Sequence, residues 1–367
     1  MAASGGEVFY EHTAGKRAVS SDREMTLDSV FWIASMTKAI TAAAAMQMVE
    51  QGKLSLDAPI AGVLPDLSEP QVLEGFSVDG APKLRPARRP ITLRHLLTHT
   101  AGFCYDMWNE DMVRYLQVSG LPRISSGKND ALKTPIATDP GTRWEYGTNI
   151  DFAGKAVEAV SGLRLDAYLR DHILGPLGMR DTGFKLTPEL RERRVGMHTR
   201  NSDGSLAVIP HEVEQNPEFH VGGSGLYGTA PDYIKFAQMI LNEGRGPAGT
   251  ILQPQTVALM RQNHIGELNM LPMKSSLPAL TNDIEFYPGT DKKWGLSFMI
   301  NTAPSPEGRS AGSLSWAGLA NTYYWIDPVR DVTGVMMMQV LPFGDEHCLA
   351  AFSDFEQAIY ELVASGE

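Results

Sequence analysis

Between Ser35 and Gly52 the chain reads SMTKAITAAAAMQMVEQG, an alanine-rich stretch without proline or internal glycine. Alanine favours helix because ordering it costs no side-chain freedom. The pattern predicts a helix from Ser35 that stops at Gly52, just before Lys53. Ile40, Ala44 and Met48 make one stripe, with Ala39, Ala42, Met46 and Val49 beside it. A helix apolar around nearly its whole girth has to be buried on all sides, so the rest of the chain must enclose it. The 367 residues are 43% hydrophobic and 20% charged, enough for a sizeable core in one large domain or two.

The ends and the middle of the chain differ in texture. Residues 6–11 (GEVFYE) and the stretch after them suggest a strand pair turning at Thr13–Lys16. From Pro59 to about Pro217, short helical patches (ITLRHLLTH, AGKAVEAVSG, LDAYLRDHIL) alternate with loops rich in Pro, Gly and Asp. One of these, APKLRPARRP at 81–90, is read as a solvated basic loop. A helix is expected at 230–243, then strands at WGLSFMIN, NTYYWID and VTGVMMMQV, the last two joined by a hairpin at Pro328–Asp331. An amphipathic helix at about 346–363 follows. Strands at both ends around a helical middle predict an α+β fold: an antiparallel sheet flanked by helices, interrupted by a mostly helical second domain. The expected division is 1–58 with 222–367 for the sheet domain and 59–221 for the helical one, with a site in the crevice between them.

Composition excludes several functions. A net charge of −11 opposes binding to nucleic acid or anionic lipid. The two cysteines, Cys104 and Cys348, form no disulfide framework and read as buried, inert thiols. No signal-peptide pattern and no run of about 18 apolar residues is present, so a soluble, cytoplasmic protein without a membrane partner is expected. Walker and HExxH patterns are missing. His95 and His99 have metal-ligand spacing without a third ligand and read as structural, so no metal or cofactor is expected.

What remains is Ser35-x-x-Lys38 at the start of the buried helix. Residues three apart share a helix face, so the lysine can reach the serine hydroxyl. Serine is a poor nucleophile without a base, and burial turns lysine into one by disfavouring its charge. The oriented N–H groups of a helix start also favour a developing oxyanion. Ser125-x-x-Lys128 repeats the pattern in a Gly- and Pro-flanked loop without an apolar shell and is set aside. The structural alternative for Ser35 is a helix N-cap.

SMTK, WEYGTN at 144–149 and SWAGLANTYYWIDP at 315–328 occur in that order, supported by GKLSLDAPI, ITLRHLLTHTAGF and GGSGLYGTAPDY. Together they resemble the serine β-lactamase and penicillin-binding-protein superfamily over nearly the whole chain, and within it the family VIII carboxylesterases related to class C β-lactamases. The resemblance implies Ser35 as the acylated nucleophile, Lys38 as its activator and Tyr146 as general base or proton shuttle, its pKa lowered by Lys38. It implies an oxyanion hole from the N–H groups of Ser35 and Leu319. Trp316, Gly318, Thr148 and Asn149 would contact substrate.

The departures from the family are informative. Trp316-Ala317-Gly318 stands where β-lactamases carry Lys-Thr-Gly, and Thr148 falls two after Tyr146 where they carry Asn. The tryptophan suits an uncharged ester, and the shallow cleft of the family implies short-chain acyl esters, so an esterase for these is expected. A β-lactamase, an acyltransferase or D-aminopeptidase, and an inactive penicillin-recognising module are the alternatives. The short segment ahead of Ser35, compared with that family, further suggests a chain that starts late. The 346–363 helix would then expose apolar surface, with self-association as the consequence.

Overall fold

A computed structural model describes residues 1–365. Its main sheet has seven strands: β1 (Ala2–Ser4), β2 (Glu7–Tyr10), β3 (Lys292–Trp294), β4 (Met299–Asn301), β5 (Leu314–Gly318), β6 (Thr322–Asp327) and β7 (Val332–Met336). They lie in the order β3-β4-β5-β6-β7-β1-β2, every neighbour antiparallel. The sheet is thus built from both ends of the chain, as the strand-rich termini suggested. The expected turn at Thr13–Lys16 is displaced: β1 and β2 join at Gly5-Gly6, both in the left-handed region that glycine adopts without penalty. WGLSFMIN is two strands rather than one. Gly295 turns the chain between them, because a side chain there would fall 2.3 Å from the Met260 carbonyl oxygen. The hairpin at Pro328–Asp331 forms as expected, with Asp327 Oδ1 accepting the N–H groups of Val329 and Arg330.

Helices cover both faces. α1 (Thr37–Glu50) is buried without interruption from Thr37 to Met48. It packs against α4 (Asn149–Ser161) and α5 (Leu165–Leu169), which belong to the helical stretch, and so the helix that begins in the first sheet segment lies among the helices of the second. Between them come α2 (Leu93–Leu97) and α3 (Glu110–Ser119). Toward the C-terminal end of α1, Gln47 donates to the Ile251 carbonyl at 2.9 Å and accepts from the Tyr168 hydroxyl at 2.9 Å, so burying it leaves no orphan amide. After α6 (Pro188–Glu192), α7 (Ala230–Leu241) packs on β6 and β7, its Tyr233 ring 5.1 Å from Tyr324, and Tyr233 Oη donates to the Met36 carbonyl at the start of α1. The basic stretch at 81–90 is an edge hairpin, Pro82–Pro86 against Gln71–Phe76. Arg85 there is held by Asp139 (2.8 Å) and Glu74 (2.6 Å).

After α8 (Pro254–Met260), α9 (Glu346–Ser365) covers the other sheet face. Its Phe352, Phe355 and Tyr360 surround Trp325, whose indole lies over Gly334 on the neighbouring strand. A Cβ at 334 would sit 2.0 Å from that ring, so glycine here makes room for the tryptophan. No helix among the described residues is long and apolar enough to cross a membrane.

One buried ion pair fastens α9 to the loop between β4 and β5. Arg309 Nε donates to Glu356 Oε1 at 2.6 Å, and both side chains are about 2% exposed or less. Removing one partner strands a charge in the core, which costs about 3–5 kcal/mol, whereas replacing both with apolar residues is close to neutral. Glu356→Ala is therefore expected to lower the unfolding free energy measured in urea by that amount and Arg309→Met/Glu356→Leu to restore most of it. Equal midpoints for Glu356→Ala and wild type would contradict the pairing.

Candidate active site

The nucleophile candidate sits where the chain is forced through a tight corner. Phe31–Trp32 pairs antiparallel with Tyr227–Gly228, and the Ile33 N–H donates to the Leu226 carbonyl at 3.0 Å. Ala34 then adopts φ +45°, an unfavourable angle for a residue with a Cβ, and is fully buried. Ser35 occupies a 3-10 turn (Ala34–Met36), and the regular helix begins only at Thr37. The cap of α1 is Met36 and makes no side-chain bond, so Ser35 is not a capping serine.

Lys38 lies directly beneath it. The Nζ is 3.1 Å from Ser35 Oγ, 3.0 Å from Tyr105 Oη and 2.7 Å from the Gly223 carbonyl oxygen, and the side chain is 1% exposed. The Gly223 oxygen can only accept, so when Lys38 is a neutral amine its lone pair must face one of the two hydroxyls. Burial drives the lysine pKa down to about 7, while the negative charge of Asp151 pulls the other way. Burial likewise lifts Asp151 to about 6, against the attraction of Lys38 and a bond from the Gly223 N–H.

Tyr146 completes the cluster. Its backbone carbonyl accepts from the Tyr105 N–H at 3.0 Å. The segment passes so close to Phe103 and Cys104 that a Cβ at Gly147 would be 2.3 Å from the Phe103 carbonyl oxygen. Trp316 Nε1 donates to Tyr146 Oη at 2.9 Å, and the rings of His99, Trp144 and Trp316 surround the phenol. Burial raises its pKa above the ordinary tyrosine value, outweighing hydrogen bonds with Ser35 and Trp316 that pull it down. The expectation that Lys38 lowers it is not met. Lys38 gives up its own charge near neutrality, and a phenolate enclosed by aromatic rings is poorly solvated.

The strand β5 closes the site from the other side. A Cβ on Gly318 would lie 2.5 Å from the Ile33 carbonyl oxygen and 2.2 Å from Thr322 Oγ1, so only glycine lets β5 run this close to the Ser35 turn. Ser35, Tyr146, Trp316, Gly318 and Leu319 all line one cavity of about 270 Å³. Its walls are mainly apolar, with Trp32, Met107, Trp108, Met273, Leu280 and Phe343 among them.

Thr148 and Asn149, expected at the substrate, are not on this cavity. Asn149 is fully buried, its Nδ2 3.0 Å from His99 Nδ1 and 3.1 Å from the Phe103 carbonyl oxygen, and it braces the loops that carry Tyr105 and Tyr146. The one-residue offset from Tyr-x-Asn puts the amide into the scaffold. His95 accepts the Thr92 N–H in the cap of α2, while His99 backs Tyr146, so the two histidines serve separate structural purposes. Cys104 and Cys348 are buried, and burial pushes both thiols up, Cys348 to about 12. Ser125 reaches the cavity rim, but Lys128 is exposed.

Tyr105 and Asp151 escaped the sequence reading. Tyr105 lies two residues past the matched segment ITLRHLLTHTAGF, and nothing in its spacing marks it. Asp151 reads as an ordinary acidic residue in a first helical turn.

Known proteins resemble this chain over nearly its whole length. The sequence profile of the Beta-lactamase family matches residues 1–359. Monacolin J acid methylbutanoyltransferase of Aspergillus terreus is 34% identical over 98% of this chain and 90% of its own. Lovastatin esterase of Penicillium rubens is 31% identical over 97% and 91%. The unliganded selenomethionyl structure of simvastatin synthase from Aspergillus terreus superposes with a TM-score of 0.83 at 32% identity, over 98% of this chain and 92% of that one. With a profile spanning almost its entire length and relatives that are acyltransferases and esterases, the chain belongs to the Beta-lactamase family and is a serine hydrolase-type enzyme.

Proposed function

We propose that this enzyme transfers an acyl group from an ester donor through Ser35 to an alcohol, with water as the competing acceptor. The observation that carries the reading is the 3.1 Å contact between Ser35 and a buried, readily neutralised Lys38 at the floor of an apolar cavity. Neutral Lys38 takes the hydroxyl proton as Ser35 Oγ attacks the carbonyl. The N–H groups of Ser35 and Leu319 hold the oxyanion, and Trp316 and Gly318 border the acyl group. Tyr146, resting as a phenol, hands its proton to the departing alkoxide and is refilled from Lys38. The reverse sequence delivers the acyl group to the acceptor. No step calls for a metal or organic cofactor.

An alcohol acceptor is favoured by the cavity walls, which offer Trp32, Trp108, Leu280 and Phe343 to a bulky apolar molecule. The names of the acyltransferase relatives support the same choice. The second reading is a short-chain carboxylesterase of the family VIII type, supported by the esterase relative. Trp316 in place of a lysine argues against β-lactams as main substrates, since it offers no cation to a carboxylate.

Supplying p-nitrophenyl butyrate with a bulky alicyclic alcohol should give more transferred ester than free acid by chromatography. Free acid alone at saturating alcohol would favour the esterase. Ser35→Ala should lose all covalent labelling by a fluorophosphonate, and Lys38→Ala should lose on the order of 10³-fold in kcat/KM.

The pH dependence has a definite sign. The active amine is neutral, so kcat/KM should fall tenfold per unit below about pH 7 and level off above it. A plateau persisting down to about pH 5 would remove Lys38 as the base. Gly318→Ala should push Leu319 away from Ser35 and cost about 10²–10³ in kcat, the usual loss for one oxyanion donor. Wild-type kcat in that variant would take Leu319 out of the oxyanion hole.

A further inference from the structure

Asp151 sits in the first turn of α4, fully buried, and has no place in the reaction as described so far. Its Oδ1 accepts the Gly223 N–H at 2.8 Å, and the carbonyl oxygen of that same residue accepts from Lys38 Nζ at 2.7 Å. Gly223 is thus a bridge, gripped by the carboxylate at its nitrogen and by the lysine at its oxygen. A neighbouring bond, Thr41 Oγ1 to the Gly222 carbonyl at 2.7 Å, fixes the bridge against α1. The second carboxylate oxygen, Oδ2, is buried without a hydrogen-bond partner among the described residues. It and Tyr105 Oη both crowd the Gly223 Cα, where a Cβ would meet them at 2.9 and 3.0 Å. Nothing larger than glycine fits between the acid and the lysine's other partner.

We propose that Asp151 is the positioning residue for Lys38, holding it beside Ser35 through the Gly223 bridge and supplying the buried negative charge against which the lysine gains and loses its proton. This rests on Lys38 being the base of the proposed acyl transfer. The titratable groups around the pair are Tyr105 and Asp106 from the loop after α2, Tyr146 from the loop before α4, and His99 at the end of α2. Both tyrosines stay protonated, and burial beside Lys38 keeps His99 neutral. Lys38 is left as the cation that acts on Asp151. A purely structural Asp151 would need only an acceptor for the Gly223 N–H, which an asparagine amide oxygen also provides. The charge is what distinguishes the two roles.

The test is the pH profile of Ser35 phosphonylation by a fluorophosphonate, in which Ser35 Oγ displaces fluoride and Lys38 takes the hydroxyl proton. Without the carboxylate charge, protonated Lys38 is less favourable and releases its proton at lower pH. In Asp151→Asn the acid limb should therefore move down by at least about one pH unit. Asp151→Glu, which keeps the charge on a longer arm, should leave the limb in place and lower the plateau rate. An unmoved limb in Asp151→Asn, or the same shift in both variants, overturns the proposal.

Should neither variant fold, infrared difference spectra of the wild type decide. They must show the buried carboxyl already ionised over the range in which phosphonylation rises, and a carboxylic acid that loses its proton only above that range overturns the proposal. Failure of the wild type to be labelled at Ser35 would sink the acyl-transfer reading itself. Labelling with an unmoved limb would sink only the role of Asp151.

Discussion

A lysine buried to 1% exposure is the constraint from which the rest of this structure follows. An ammonium group in such a place would cost several kcal/mol unless each of its N–H groups found an acceptor or it gave up its proton. The fold does both. Three oxygens, from Ser35, Tyr105 and Gly223, stand ready for the charged form, and the apolar girth of α1 makes the neutral form accessible. The close approaches elsewhere at the site serve that arrangement. Gly147 lets the Tyr146 segment press against Phe103, Gly223 lets the strap reach Lys38, and Gly318 lets β5 reach the Ser35 turn.

The two groups beside the serine hold different protonation states for the same physical reason. Burial disfavours charge, so it lowers a lysine and raises a tyrosine. In the proposed reaction the neutral amine can take a proton while the phenol can give one. A single water-poor environment thereby supplies both an acid and a base near neutral pH. The family resemblance suggested a tyrosine of lowered pKa, as general base or proton shuttle, and burial among the aromatic rings raises it instead.

Legibility followed the range of the signal. The Ser35–Lys38 pair could be read because its geometry is local, one helical turn, and its burial is written in the alanines and methionines around it. The strands at both chain ends and the 328–331 hairpin were also local patterns. Tyr146, Trp316 and Leu319 were placed by motif order, and the structure brings them to the same cavity as Ser35. Asn149 was misplaced because a one-residue offset turns its amide into the scaffold, toward His99 and Phe103. Tyr105 and Asp151 could not be read at all. Their importance arises only from contact with Lys38 and Gly223, residues far away along the chain. The Gly5-Gly6 turn and the split at Gly295 depended on close approaches and left-handed angles that composition does not reveal.

Ser35 and Lys38, Tyr105, Tyr146 with Asp151, Gly223, and the 316–319 turn come from five separate stretches of the chain. Closing the loops between them is entropically uphill until the sheet and α1 are both in place. In the proposed reaction Ser35 is therefore activated only when all five stretches have met, and a chain that has not folded carries Ser35 in its sequence without the neighbours that would activate it.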